Sequence, residues 1–483
     1  MDPAEAYHVA NRTDSSGTRT TGILHVEHEG HSDNTPASEP EAHGLSRRLI
    51  RRGIPRGRFA RGVAVLVGGT TASQAILVLT APVLTRLYTP ADFGVLGVFT
   101  GTVALLGVVV GLRYMVVVPL PEEETEAVNV VAVSLTLGTA MSIVFGLLGV
   151  ALGHRFATLM HMPQLASYMW LLPLSLLGNC VYQTLYLWAI RMQGFTVIAR
   201  TRVSQALARV GVQSLLGIIG VAPLGLLLGD FAGGATGSGT FARLIGKRRP
   251  GAWRTVSLEG MKRVARRYSH FAWFGTPAAL LNVASLQGVP LLVAYSFGAT
   301  VAGWYALTFR VLALPMSLLG AAVGDTYFGV APGLARTDSA ALRTLFKTTA
   351  IRLFMIGIGP TIILMLAGPA LFSFVFGGKW AAAGFYARYL APALLAQFVS
   401  SPLSDTTIIL ERQDLQLLMD VMRIALVLGT FLLAHELSWS ANTALMTLGI
   451  TLLLSYIVYF SVYWRLVKAL DDDDRPATTA TSE

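Results

Sequence analysis

Long apolar segments separated by short polar ones dominate the chain between residues 62 and 468. A membrane-spanning helix needs about 20 apolar residues to cross about 30 Å of hydrocarbon, and twelve segments are long enough. They cover residues 63–84, 93–113, 127–152, 164–190, 203–222, 223–245, 270–296, 301–323, 349–370, 387–408, 417–434 and 442–464. The pattern therefore predicts an all-α integral membrane protein with about 12 transmembrane helices, and only Pro223 separates the fifth span from the sixth.

Polar segments divide these spans into two sets of six. We predict an N-terminal six-helix lobe, a basic interfacial linker helix and a C-terminal six-helix lobe, at residues 62–245, 246–269 and 270–468. Within the linker, Met261, Val264, Ala265 and Tyr268 recur at helical spacing, which predicts a basic helix over 256–269 lying in the membrane interface.

The two ends of the chain are polar. Residues 1–45 have no apolar run and predict a disordered tail, and residues 46–61 predict a basic juxtamembrane segment facing anionic lipid. Residues 469–483 predict an acidic, disordered tail. The histidines of the first tail, within H-V-E-H-E-G-H, either bind a metal weakly or are simply solvated.

Composition supports a membrane protein over a nucleic-acid-binding one. Only 13% of residues are charged, against roughly 25% in soluble domains, and the net charge of +10 is carried mainly by loops. Most Lys and Arg residues fall in loops that share one side of the membrane, which predicts that this side and both termini are cytoplasmic. The outer loops then hold only Arg86, Arg155, Lys379 and Arg388.

Ionisable residues inside spans are the candidate functional groups. Arg310 lies near the middle of span 301–323, where a charge costs about 2.5–3.5 kcal/mol on insertion scales. Either neighbouring carbonyl groups hold it structurally, or it lines a cationic cavity that receives an anionic substrate. Arg209 is a weaker candidate of the same kind. The acids Asp230, Asp325 and Asp405 either carry a coupling ion or pair with an arginine.

Several small features complete the pattern. The single cysteine, Cys180, excludes an internal disulfide and any Cys-based metal site, and no metal site or cofactor is predicted. In the sixth span, Gly225, Gly229, Gly233 and Gly237 share one helical face, which predicts close approach of another helix. Aromatic residues near span ends predict an interfacial belt; examples are Tyr88, Trp304 and Trp380.

Five ordered blocks resemble the Wzx-type polysaccharide flippases of the multidrug/oligosaccharidyl-lipid/polysaccharide exporter superfamily. The blocks are L-T-R-L-Y-T-P-A-D-F-G (84–94), L-R-Y-M-V-V-V-P-L-P (112–121), F-G-A-T-V-A-G-W-Y-A-L-T-F-R-V-L-A-L-P (297–315), F-G-G-K-W-A-A-A-G-F-Y-A-R-Y-L-A-P (376–392) and S-P-L-S-D-T-T-I-I-L-E-R-Q (401–413). The resemblance covers residues 62–465 and excludes the N-terminal tail.

This resemblance implies two six-helix bundles around a central cavity in a bacterial inner membrane. It implies a lipid-linked oligosaccharide substrate, usually on undecaprenyl pyrophosphate, with membrane lipids, a polysaccharide polymerase and export machinery as further partners and no nucleic acid. The family's cavity arginines match Arg86, Arg113 and Arg310 by motif. The chain departs from the family pattern at two positions. Met115 stands where the family usually has an acidic residue, and Asp325 stands where it commonly has Gln, so the resemblance does not define the charge balance of the cavity or the ion coupling.

Other function classes remain as alternatives. A membrane-embedded polysaccharide polymerase or glycosyltransferase usually presents a large outer loop with acidic or His groups, whereas the longest predicted outer loop, 371–386, has no Asp, Glu or His. A multidrug antiporter of the same superfamily would need an acidic cavity for cations. We therefore expect a transporter and not an enzyme, with no catalytic residue. Arg86 has an alternative reading as an interfacial anchor, and Arg113 also lies near a span end.

Overall fold

The computed structural model describes residues 58–248, 251–313 and 319–473 of the chain. The predictions for the tail at 1–45, for residues 46–57 of the basic segment and for residues 474–483 of the acidic tail lie outside this part.

The described chain is built from α-helices and short single-turn segments. In the N-terminal half the helices are α1 Arg58–Leu79, α2 Ala81–Leu87, α3 Pro90–Val110, α4 Tyr114–Val117, α5 Glu124–Leu159, α6 Leu171–Arg191, α7 Phe195–Ile218, α8 Leu224–Ala235 and α9 Ser238–Arg248. The linker holds α10, Leu258–Arg267. In the C-terminal half they are α11 Thr276–Leu312, α12 Ala321–Thr337, α13 Ser339–Phe376, α14 Ala381–Ser400, α15 Thr406–Ile409, α16 Gln413–Glu436 and α17 Ala441–Asp473.

The prediction of an all-α membrane protein is confirmed. Within the described ranges, seven helical stretches are long and apolar enough to cross a membrane: Val65–Leu87, Pro90–Val110, Glu124–Leu159, Gln287–Leu312, Ser339–Phe376, Gln413–Glu436 and Ala441–Leu470. Each of the twelve predicted spans falls mainly on helix, and the count of twelve stays a prediction.

The sixth predicted span, 223–245, is not one continuous helix. The chain leaves α8 at Thr236, which is extended, and turns at Gly237, where φ is +99°. Such a left-handed conformation suits glycine, which has no Cβ to clash with the backbone. The span is therefore two helices, α8 and α9.

Helix α11 also contains a break, at Gly298, where φ is +77° and ψ is −176°. Gln287 before the break and Ala313 after it line the same cavity. A straight helix would separate these residues by roughly 39 Å at 1.5 Å per residue, so the chain reverses at Gly298. The two arms, residues 276–297 and 299–312, correspond to the seventh predicted span and to the first part of the eighth.

The outer faces of the helices carry exposed apolar side chains. Ile218, Leu366 and Phe374 keep 72%, 75% and 85% of their surface exposed. Exposure of this extent on many helices indicates that hydrocarbon covers these faces.

Three clusters of buried side chains lie inside this shell. One joins the two halves and includes Tyr88, Phe93 and Trp380. Another lies in the N-terminal half around Val130 and Trp188, and the third fills the C-terminal half.

Three of the four glycines of the predicted strip pack against a neighbouring helix, and the fourth, Gly237, lies in the turn after α8 and not on its face. A Cβ on Gly225 would collide with Tyr88 and Leu216, while one on Gly229 or Gly233 would collide with Gln213 or Arg209. Because only hydrogen fits at these positions, α8 lies directly against α7. This contact sets the depth of Arg209 and Asp230 in the N-terminal half.

The linker helix α10 is fastened to the N-terminal half. Asn129 of α5 accepts a hydrogen bond from the Ser257 backbone N–H at 3.1 Å, and the Tyr114 hydroxyl donates to the Ala265 carbonyl at 2.8 Å. Arg267 forms an ion pair with Glu126 at 2.9 Å, and Val264 is only 3% exposed. The linker helix therefore belongs mechanically to the first half.

Candidate substrate chamber

The two halves meet tightly at one end of the molecule, which we call the Lys379 end. Lys379 Nζ donates to the Tyr88 carbonyl at 2.7 Å, and the Trp380 indole N–H donates to the Thr85 carbonyl at 3.0 Å. The Phe93 ring lies edge-on to Trp380, with the ring centroids 5.0 Å apart. These two hydrogen bonds join the two halves at this end.

Backbone packing reinforces this closure. Helix α3 begins with a capping box, in which Asp92 accepts from the Thr89 backbone N–H at 2.8 Å. Just inside it, a Cβ on Gly94 would overlap the Ala299 carbonyl, and one on Gly303 would overlap the Pro90 carbonyl. The start of α3 and the second arm of α11 thus touch backbone to backbone.

The predicted aromatic belt is wrong for Tyr88 and Trp380. Both side chains are completely buried in the closure between the halves and not at a lipid interface. Burial also lowers the pKa of the Lys379 ammonium, and the nearby Asp92 carboxylate opposes that shift. The hydrogen bond of the Trp380 indole is buried, whereas Lys379 itself stays exposed.

Beneath this closure lies a cavity of about 380 Å³ that contains Arg310. Polar side chains from both halves line it with Arg310: Gln74 of α1, Thr100 of α3 and Gln287 of α11. Arg310 sits on the second arm of α11, roughly 16 Å below Ala299 along the helix axis at 1.5 Å per residue. We call this space the substrate chamber.

The chamber's electrostatic surroundings include a second arginine. Arg209 of α7 pairs with Asp230 of α8 at 3.0 Å, and the two side chains keep 32% and 27% of their surface exposed. Arg310 lies close enough to interact electrostatically with both. Two guanidinium groups and one carboxylate leave the group with a formal net positive charge.

The other two candidate arginines, Arg86 and Arg113, do not line the substrate chamber. Arg86 is exposed at the end of α2, and its nearest acceptor is the Pro82 carbonyl at 3.5 Å. Arg113 is half-buried beyond the far end of α3, in a left-handed conformation with φ of 60°. Thirteen residues separate it from Thr100, which is roughly 20 Å along a helix.

The three candidate acids divide into two environments. Asp230 forms an ion pair with Arg209. Pairing with an arginine is one of the two roles predicted for it, the other being ion coupling. Asp325 and Asp405 instead line one small cavity of about 300 Å³ in the C-terminal half, where the two carboxylates interact electrostatically. Among the described residues, no cluster of His, Cys, Asp and Glu is arranged to hold a metal ion.

Comparison with known families identifies the chain. The family described as "Polysaccharide biosynthesis protein" matches residues 83–384. The chain belongs to this family. A search of the curated proteins finds no match.

Solved structures show which fold this polysaccharide biosynthesis protein adopts. A multidrug resistance MATE family transporter of the MOP superfamily, in an inward-facing conformation, has a TM-score of 0.65 at 14% identity, covering 83% of this chain and 96% of that one. A MOP superfamily transporter from Pyrococcus furiosus, described as having a binding pocket of reverse polarity, has a TM-score of 0.52 at 14% identity, covering 86% of this chain and 97% of that one. A mutant of the Vibrio cholerae MATE transporter VcmN also reaches 0.52 at 14% identity, with 86% and 97% covered. The resemblance to the exporter superfamily is confirmed, and the protein is a multi-pass membrane transporter.

Sequence reasoning missed a buried charge in this family member. Arg423 of α16 has a side chain that is only 8% exposed. It pairs with Asp420 at 3.1 Å and donates to the Ser285 hydroxyl at 2.7 Å and the Tyr456 hydroxyl at 3.2 Å. Tyr459 donates to the same Asp420 oxygen at 3.0 Å. The sequence signal that could have revealed this ion pair is an acid and an arginine three residues apart inside an apolar helix.

The Arg423 network ties α11, α16 and α17 together in the C-terminal half. Arg388, expected in an outer loop, is likewise within a helix, because it lies in α14 and donates to the Leu366 carbonyl at 3.1 Å. Both arginines therefore hold helices together. Neither indicates which side of the membrane a loop faces.

Replacing Arg423 by alanine is expected to destabilise the protein strongly. Removing one partner of a buried ion pair costs about 3–5 kcal/mol, because the other charge stays buried without compensation. Since Asp420 keeps 22% of its side chain exposed, we expect about 3 kcal/mol, the lower end of that range. Thermal unfolding of the purified protein in detergent measures the effect.

The matched control is Arg412→Ala, which breaks the exposed pair between Arg412 and Asp414 in the same helix region. It should leave the unfolding temperature unchanged, since exposed pairs are screened by water. Equal unfolding temperatures for Arg423→Ala and Arg412→Ala would show that the buried network is not structural.

Proposed function

We propose that this protein is a flippase that moves a lipid-linked oligosaccharide, of the undecaprenyl pyrophosphate type, from the cytoplasmic to the outer leaflet of the bacterial inner membrane. The observation that carries the proposal is the positively charged substrate chamber between the two halves. Membership of the polysaccharide biosynthesis family supports a glycan cargo.

The chamber suits a diphosphate headgroup. Arg310 lines the chamber from the C-terminal half, and Gln74 and Thr100 line it from the N-terminal half, so a ligand there contacts both halves. Arg209 lies outside the lining and adds positive charge nearby. A guanidinium is permanently charged and matches two phosphate oxygens with two parallel N–H donors. The polar side chains of Gln74, Thr100 and Gln287 offer hydrogen bonds to the first sugars, while the lipid tail stays in the bilayer.

Closure at the Lys379 end supports a loading state. The distribution of Lys and Arg over the loops supports an outer position for the Lys379 end and cytoplasmic positions for both termini. The chamber is then shut towards the outside by Tyr88, Lys379 and Trp380, and the substrate enters from the cytoplasmic leaflet. Rocking of the halves would open the Lys379 end and release the headgroup outside.

Asp325 and Asp405 are the groups that we assign to ion coupling. Two carboxylates facing one small cavity repel each other when both are charged, and a bound proton removes that repulsion. Asp230 is less suited to this role because Arg209 already neutralises it.

Multidrug antiport is the second candidate, since the structural neighbours include multidrug transporters. A chamber for organic cations needs an uncompensated acid, whereas no carboxylate is among the described lining residues of this chamber, the nearby Asp230 is paired with Arg209, and Arg310 adds a positive charge. An anionic cargo therefore fits the charges better.

Depleting the protein tests the proposed function. In the source cell, depletion is expected to cause lipid-linked oligosaccharide to accumulate on the inner leaflet, because the headgroup has no other route through hydrocarbon. Leaflet-specific labelling of the oligosaccharide measures its position, and re-expression of the full chain is the control. Delivery to the outer leaflet at the normal rate after depletion would rule out the proposal.

A further inference from the structure

A second and larger cavity, of about 690 Å³, lies at the Lys379 end. We call it the histidine vestibule, because three of its lining residues are His154, His161 and His435. Tyr295 and Ser296 also line it and directly precede the reversal at Gly298, which locates it at this end. The substrate chamber shares none of these residues.

Both halves of the protein contribute to the vestibule. His154 and Arg155 come from the last turns of α5, and His161 follows in the next turn. His435 lies in the last turn of α16, and Tyr295 comes from the first arm of α11. A ligand in this space therefore contacts both halves at the same time.

The charges in the vestibule are of one sign. Arg155 is always positive, and histidine is the side chain whose charge changes between pH 5 and 8. Tyr295 is the only other titratable residue among the described lining residues, and no carboxylate lines the cavity. Glu436 follows His435 in the chain but is not part of the lining. Protonation of the histidines thus turns the vestibule into an anion-binding surface.

The spacing of these groups determines what kind of anion fits. The histidines are not grouped closely enough to hold a metal ion within the described structure, so a single small ion does not satisfy all of them. The volume is within the 300–1,000 Å³ typical of ligand pockets. Tyr295 is 39% exposed and, tilted against His161 with ring centroids 6.4 Å apart, offers an aromatic face for sugar C–H groups.

We propose that the histidine vestibule binds an acidic glycan segment, one that carries several carboxylate groups, and that it does so when its histidines are protonated. The site is separate from the substrate chamber and does not require that the cargo be a diphosphate lipid. Each protonated histidine gains a charge-assisted hydrogen bond to a carboxylate, while Arg155 provides a contact that does not depend on pH.

Binding of tetragalacturonate to the purified full chain in lipid nanodiscs tests this proposal. Its carboxylates stay ionised at about pH 5.5 and about pH 7.5, so a change in affinity between these values reports the histidines. We expect binding about tenfold tighter or more at the lower pH, because water screens each contact to these exposed histidines and reduces what it contributes. The neutral maltotetraose should not bind at either pH.

Variants separate the vestibule from other positive surfaces. The double substitution His154→Gln and His435→Gln removes one exposed histidine from each half and should weaken the pH dependence, leaving only His161 to supply it. The control His270→Gln replaces an exposed histidine outside the vestibule, and the control Arg310→Ala removes the chamber arginine. Both control variants should retain the pH dependence of tetragalacturonate binding. Equal affinity at the two pH values, equal binding of the neutral glycan, or loss of the pH-dependent binding in Arg310→Ala would overturn the proposal.

Discussion

Replacing Arg310 by alanine is expected to abolish oligosaccharide translocation while leaving membrane insertion intact. A hydrogen bond to a charged group contributes about 1.5–3 kcal/mol, and a guanidinium makes two of them to a phosphate. Loss of both should lower the translocation rate on the order of 100-fold or more, since each 1.4 kcal/mol is a factor of ten. Flipping of a fluorescent lipid-linked oligosaccharide in proteoliposomes measures the rate.

Two further variants make the Arg310 result specific. Arg310→Lys keeps the charge but loses the paired donors, so it should retain part of the activity. Arg336→Ala removes an exposed arginine that bonds only to the nearby Pro332 carbonyl among the described contacts, and it should transport normally. Normal transport by Arg310→Ala would refute the assignment of the chamber.

Replacing Gly303 by alanine should prevent the Lys379 end from closing. The added methyl group would overlap the Pro90 carbonyl, and overpacking of this kind costs about 1–3 kcal/mol. That cost applies only to the closed state, so its population relative to the open state should fall roughly 5- to 150-fold. Transport should fall with it, because every cycle passes through closure.

Spin labels on the two halves measure this shift directly. Val83 and Phe374 are exposed on α2 and α13, and the single native cysteine, Cys180, is replaced by serine before labelling. We expect the distance distribution between the labels to lengthen in Gly303→Ala. Gly429→Ala is the control, since nothing lies within 4 Å of the added Cβ. An unchanged distance distribution in Gly303→Ala would show that the close contact is not needed for closure.

The sequence was sufficient for features that depend on local pattern. Apolar runs predicted the helices because a bilayer demands about 20 apolar residues in each. The glycine strip at Gly225, Gly229 and Gly233 predicted its helix contact because bare faces pack closely. Arg310 was identified because a charge in a span needs a polar environment.

Features that depend on contacts between distant segments could not be predicted. Tyr88 and Trp380 look like interfacial aromatics in the sequence, and only the meeting of α2 with the segment before α14 buries them. Arg113 and Arg310 belong to the same resemblance, yet α3 holds them far apart. The sixth span breaks at Gly237 because of a single backbone conformation, which an apolar pattern does not record.

Attachment of the linker helix to α5 has a consequence for the range of motion. With α10 anchored by Asn129 and Tyr114, the covalent connection between the halves is the short stretch from Tyr268 to Thr276, in which Phe271–Gly275 forms a π-helical turn. A chain spans at most about 3.3–3.6 Å per residue, so even if this turn unwinds completely the connection reaches no further than roughly 28 Å. The halves can swing apart on that side no further than this connection permits, whatever the size of the cargo.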